Sequence, residues 1–178
     1  MNKHFYFGYG MNTNIGGMKQ RCPAAISMGS AALYDWDFRF AYHADVVPML
    51  GTKTVGVLWE LTDTCLASLD RLESYPVYYD RKLLPILHHG RTYQAWVYFM
   101  QPGSRTAPPG TSYWNCLLEG YTEHDVSRRQ LHRAMNAAIR AEDDRLLTPV
   151  DPDGYYYDRY TYRSGRGNAV AADNTVPF

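Results

Sequence analysis

No stretch of this 178-residue chain approaches the ~20 consecutive apolar residues that a membrane-crossing helix requires, and its N-terminus lacks the apolar core of a secretory signal. Neither sign of charge is in excess: 18 Lys and Arg balance 18 Asp and Glu. Bulk attraction toward nucleic acid or an anionic membrane surface is therefore not expected. Cysteine is scarce. Cys22, Cys65 and Cys116 stand far apart without CxxC or CxxH spacing, which argues against a disulfide framework or a zinc site. Reduced, buried thiols in a cytoplasmic protein are expected instead. The six histidines form no metal-ligand spacing, and His88 and His89 read as a hairpin tip. There is no internal repeat.

Tyrosine is what the chain has in plenty, with 16 residues against an ordinary hydrophobic content of 46% and charged content of 20%. The length suits one domain with a core. Residues 1–147 read as that domain, and 148–178 as a Tyr/Gly-rich extension either packed on it or mobile. In that extension Arg159, Arg163 and Arg166 alternate with aromatics, as in binders of single-stranded nucleic acid, but Asp151, Asp153 and Asp158 cancel the charge locally. A cover over the domain, or a subunit contact that would make a homodimer, is the preferred reading.

Along the chain, residues 4–9 form an apolar-aromatic strand, followed by a turn and loop over 10–17 and a short helix near 15–22 stopped by Pro23. Residues 24–42 carry loose alternation for one or two strands, and 43–53 read as a loop. TVGVLWEL, 54–61, is a strand by its branched and aromatic residues. A helix over 62–73 is capped by Thr62 or Asp63, and RKLLPIL and TYQAWVYFM make a hairpin. A Gly/Pro loop at 101–112 precedes two helices separated near Gly120, the second with Leu131, Ala134, Met135 and Ala138 on one face. The expected class is α+β, with a mixed, largely antiparallel barrel-like sheet and flanking helices.

Two places invite chemistry. In LASLDRLES, Leu66, Leu69 and Leu72 mark a helix core, and Glu73 follows Leu66 by seven and Leu69 by four, on or beside the same stripe. Burial raises a carboxylate's pKa, and a helix C-terminus pushes the same way. Periodicity alone favours a surface Glu73 at a frayed helix end, paired with Arg71 or Arg81. The other place is the turn GYGMN after the first strand. It is either a plain turn or a cradle, in which Gly10 lets backbone approach a small polar ligand. Asp70 reads as a structural hydrogen-bonder, Tyr79 as packing and Arg81 as a solvated edge charge.

The ordered pieces FGYGMN, VGVLWELTDTCLASLDRLES, YPVYYDRKLLPI, AWVYFM and PPGTSY resemble the γ-glutamylcyclotransferase (AIG2-like) superfamily over about residues 4–135. The family's first-loop Ser is Met11 here; Met serves if that position offers its backbone N–H. The resemblance implies a small-molecule γ-glutamyl substrate and no cofactor. The substrate's α-amine attacks its own γ-carbonyl, releasing 5-oxoproline and an amine or amino acid. Glu73 is the implied general acid/base. The amides of Gly10, Met11 and Asn12 would hold the substrate carboxylate or the oxyanion, Tyr9 would orient the loop, and Tyr113 would line the pocket. The alternative is a catalytically silent relative that binds a small metabolite or a protein partner.

Overall fold

The apolar opening KHFYFG is paired along its whole length. In a computed structural model that describes residues 3–147, strand β1 (Lys3–Gly8) runs antiparallel to the end of β3 (His43–Thr62), from Lys3 opposite Thr62 to Gly8 opposite Val57. Strands β2 (Ile26–Ala41), β4 (Tyr79–His88) and β5 (Arg91–Met100) complete a closed barrel in the order β1-β3-β2-β4-β5. Among the described residues the pairings between these strands are antiparallel except the closing contact of β1 with β5, where Tyr6 meets Trp96 in parallel. The sheet is thus the mixed, largely antiparallel barrel expected from the sequence. The expected C-terminal extension lies outside the described residues. The chain divides into two compact units, Met1–Ala138 and Ile139–Phe178, and the barrel lies in the first. Among the described residues no helix is long and apolar enough to cross a membrane.

Residues 43–53 are not a loop. They are the first half of β3, which pairs with β2 from Ala41 opposite His43 to Trp36 opposite Pro48 and resumes at Tyr34 opposite Lys53. Pro48 is still paired, with Trp36, and Gly51 at φ 79° sits where the register slips, opposite Asp35 at φ 61°. A bulge absorbs the extra residues without ending the strand. The charge on Asp45 is also accommodated: it takes a forked pair of bonds from Arg39 at 2.8 and 2.7 Å and further bonds from the Val46 and Met100 N–H groups. A buried carboxylate with this many donors ties β3 to β5. The β4–β5 hairpin turns at His89 and Gly90, both at positive φ (44° and 76°), while His88 ends β4 buried against the Ser30 carbonyl.

Among the described residues the α-helices are α1 (Ile15–Arg21), α2 (Asp63–Leu72), α3 (Thr111–Glu123) and α4 (Arg129–Leu147), the last of which belongs to the first unit only as far as Ala138. Thr62 caps α2, its hydroxyl accepting from the Cys65 N–H. The core joins Phe7, Phe38, Phe40, Leu58, Leu69, Leu117, Tyr121 and Leu131, all fully buried. On α4, Leu131, Ala134 and Ala138 are buried with Met135 partly so, as their spacing predicted. Gln130 imitates a strand neighbour, its amide exchanging two 2.7 Å bonds with the Val55 backbone.

Helix α3 runs straight through Gly120, so that glycine is not a break. A Cβ there would lie 2.4 Å from Thr13 Oγ1 and 2.5 Å from the Asn14 nitrogen. Its bareness lets α3 rest on the turn after β1. Helix propensity alone would make Gly120→Ala stabilising by about 1 kcal/mol. The contact with backbone reverses the sign: we expect a net loss of roughly 1–3 kcal/mol in urea denaturation.

Candidate active site

Between Gly8 and Asn14 the chain makes one 3₁₀ turn, Met11–Thr13. The Gly10 carbonyl accepts from the Thr13 N–H at 3.0 Å and from its hydroxyl at 2.9 Å. The N–H groups that open such a turn have no partner within it. A Cβ on Gly10 would stand 3.1 Å from both Ala44 Cβ and the Tyr113 hydroxyl, so the bare α-carbon lets β3 and α3 close on the turn.

Opposite lies Glu73, the C-cap of α2, whose N–H bonds the Leu69 carbonyl at 2.9 Å. Leu66 and Leu69 are buried beneath it as the stripe required. Leu72 is not core: it is 43% exposed and borders the cavity. That cavity has a volume of about 170 Å³, on the order of six waters. Tyr9, Gly10, Met11, Asn12, Glu73 and Tyr113 all line it, so the structure gathers in one hollow every site residue expected from the sequence.

One contact joins the two halves of the site. Asn12 Nδ2 donates to Glu73 Oε1 at 3.1 Å and to the Tyr6 hydroxyl at 3.0 Å, while Asn12 Oδ1 accepts from Arg21 Nη1 at 3.0 Å. Burial pushes the Glu73 carboxyl up from 4.5 to about 7. The Asn12 amide and the Arg21 charge pull the other way but do not outweigh desolvation.

Six tyrosines surround the hollow: Tyr6, Tyr9, Tyr78, Tyr79, Tyr98 and Tyr113. Their partners decide what each can offer. Carbonyls and carboxylates only accept, so Tyr9 donates to the Tyr98 carbonyl (2.6 Å), Tyr79 to the Ala44 carbonyl (2.9 Å) and Tyr98 to Asp70 (2.7 Å). Those hydrogens are committed to the scaffold. Backbone N–H groups only donate. The Tyr113 hydroxyl accepts from the Ala44 N–H at 3.0 Å and faces the Met11 N–H, which leaves its own hydrogen for a ligand. Tyr6 likewise accepts from Asn12 and keeps its hydrogen. Burial holds the phenols of Tyr6 and Tyr113 above their usual range, so both are neutral donors. His43 stands on the exposed rim, edge-on to the Tyr113 ring at 5.0 Å.

Sequence reasoning missed Tyr6, Tyr98 and Arg21 and set Tyr79 aside as packing. The surplus of tyrosine was the available signal: three of these hydroxyls sit on strand positions that turn out buried. Arg81 is not a solvated edge charge. Its side chain is 15% exposed, 3.1 Å from Asp70, and lies over the Trp96 and Tyr75 rings at 4.3 and 4.8 Å. Asp70 thereby anchors Tyr98 behind the cavity. Among the described residues no group of three or more His, Cys, Asp or Glu is placed to hold a metal ion.

A closed five-stranded barrel whose first turn meets a buried carboxylate across a tyrosine-walled hollow defines the class. Residues 5–116 match the family described as gamma-glutamyl cyclotransferase, AIG2-like, and the chain belongs to that family. The Drosophila melanogaster protein CG2811, provisionally named a gamma-glutamylcyclotransferase, is 40% identical over 100 residues. That match takes in 54% of this chain and 58% of the relative's length. The barrel is shared with a solved gamma-glutamyl cyclotransferase (TM-score 0.67, 20% identity) over 92% of this chain and 98% of that one. An uncharacterised Homo sapiens protein has the same fold (TM-score 0.65, 21% identity, 92% and 98% covered).

A carboxyl whose folded pKa lies near 7 rather than 4.5 binds its proton more tightly folded than unfolded. Its contribution to stability is complete below the unfolded pKa and is lost as pH rises through the folded one. We expect Glu73→Gln to flatten the stability profile between pH 4.5 and 7. The variant should exceed the parent above pH 7.5 by at most roughly 3 kcal/mol, read by urea denaturation across pH.

Proposed function

We propose that this chain is a γ-glutamylcyclotransferase acting on a small γ-glutamyl amide, with Glu73 as the proton carrier. The observation that supports this most is the Asn12–Glu73 contact, which puts a carboxylate of near-neutral pKa against the first turn in one hollow. The reaction needs little more. The substrate's α-ammonium must lose a proton before its nitrogen can attack, and the departing amine must gain one. One carboxyl titrating near working pH does both in turn. The nucleophile is part of the substrate, so the enzyme's main task is to fold it into a reactive conformer, which a small hollow favours.

As the amine nitrogen bonds to the γ-carbonyl carbon, the carbonyl oxygen becomes an oxyanion. The Gly10 and Asn12 N–H groups at the opening of the Met11–Thr13 turn and the uncommitted Tyr113 hydrogen are the donors available for it. The amide C–N bond then breaks, the leaving nitrogen takes the proton from Glu73, and the five-membered lactam departs as 5-oxoproline. Met11 fits here without a hydroxyl, because its backbone N–H is what it turns toward the Tyr113 hydroxyl, and that leaves the phenolic hydrogen for the substrate. The Asn12 amide has both hydrogens engaged by Tyr6 and Glu73, so its part is to hold the carboxylate.

The test is incubation of the full chain with a panel of γ-glutamyl amides and amino acids, with 5-oxoproline measured by mass spectrometry. Product is expected from at least one of them, with Glu73→Gln reducing kcat by about 10²–10⁴ while the fold is kept. A folded protein that releases no product from any of the panel overturns the reading in favour of a silent binder.

A further inference from the structure

The segment TNIGGMKQR places two glycines inside the seven-residue helix α1, where each costs about 1 kcal/mol against alanine. Neither Gly16 nor Gly17 has the positive φ that would demand glycine. Gly17 has another use. A Cβ there would lie 2.8 Å from Arg21 Nη1 and 3.4 Å from its Cζ. The missing side chain opens a berth for the guanidinium arriving from one turn further on. The end of the helix is tied down as well, since the Arg21 carbonyl accepts from the Ser68 hydroxyl at 2.9 Å.

The berth aims Arg21 Nη1 at Asn12 Oδ1, 3.0 Å away. A side-chain amide can turn over and exchange its oxygen and nitrogen, and its neighbours decide which way it stands. Arginine has donors only. The atom facing it must therefore be the carbonyl oxygen, and the NH2 group is forced toward Tyr6 and Glu73. We propose that Arg21 is a positioning residue for Glu73: seated over Gly17, it pins the Asn12 amide so that its NH2 is always presented to the carboxylate. The functional meaning of this rests on the reading of Glu73 as the proton carrier.

The other ionisable groups around Glu73 do not duplicate this. Tyr6 and Tyr9 from β1 and its turn, Tyr79 from β4, Tyr98 from β5 and Tyr113 from α3 are all held neutral by burial. Cys22, beside Tyr6, is pushed up to about 12. His43 of β3 sits on the exposed rim. Asp45 of β3 is paired with Arg39, and Arg81 of β4 with Asp70 of α2. Among the described residues Arg21 is the cation whose charge favours the ionised form of Glu73. Without it the amide is free to turn, and a carbonyl presented to the carboxylate favours the protonated acid. Loss of the pin and loss of the charge act in the same direction.

The experiment is a carbon-13 NMR titration of the Glu73 carboxyl in the full chain, assigned by its absence in Glu73→Gln. It compares the parent with Arg21→Met, Arg21→Lys and Gly17→Ala. Arg21→Met should move the midpoint up by roughly half a unit to one unit. Arg21→Lys, which keeps a charge and a donor, should move it less. Gly17→Ala keeps the charge and improves the helix but displaces the guanidinium; it should raise the midpoint without lowering thermal stability. Midpoints unchanged in Arg21→Met overturn the proposal. A shift in Arg21→Met with none in Gly17→Ala also overturns it, because charge alone would then be acting. The titration needs no turnover, so its outcome stands apart from whether the chain makes 5-oxoproline. Where it does, kcat below the shifted midpoint should fall in Arg21→Met with KM unchanged.

Discussion

The site depends on the desolvation of one carboxylate. An isolated Glu in water is a weak base and is ionised throughout the neutral range. At the end of α2, beneath tyrosine rings and against an amide, it is raised to about 7. Two opposing influences set that value. Burial disfavours the anion, and the hydrogen bond from Asn12 with the charge of Arg21 favours it. A carboxyl buried with no donor would be locked in its protonated form, and one bathed in water would be locked in its anion. The near balance leaves both forms accessible, as the proposed reaction requires in turn.

The barrel supplies the frame, and three glycines set the clearances within it. Gly10 allows β3 and α3 to approach the turn, Gly120 allows α3 to rest on Thr13 and Asn14, and Gly17 gives Arg21 its berth. The tyrosines divide into two groups by what their partners accept. Tyr9, Tyr79 and Tyr98 spend their hydrogens on the scaffold, and the hydroxyls of Tyr6 and Tyr113 accept from it. The second group faces the hollow as neutral donors, which suits a substrate whose reacting atom gains negative charge.

Much of this was legible in the sequence. Strand TVGVLWEL, helix α2 with its Thr62 cap and the hairpin at His89–Gly90 follow from local chemistry that tertiary structure leaves in place. Glu73 stood out because it interrupts a leucine stripe. Less legible were features decided by contacts distant in the chain. Residues 43–53 carry loop-like Asp45, Pro48 and Gly51, yet pairing with β2 and the donors around Asp45 make them strand. Gly120 looked like a break and is a point of contact, a distinction that needs its neighbour Thr13 to be seen. Arg21 gave no local sign at all: its importance lies in the orientation it imposes on Asn12, nine residues away.

The most direct measurement is a crystal structure of the chain with 5-oxoproline soaked in. The lactam is expected in the hollow, within hydrogen-bond distance of the Glu73 carboxyl and the backbone N–H groups that open the Met11–Thr13 turn. A lactam bound elsewhere on the barrel with the hollow empty, or a Glu73 side chain turned out into bulk water, would contradict it.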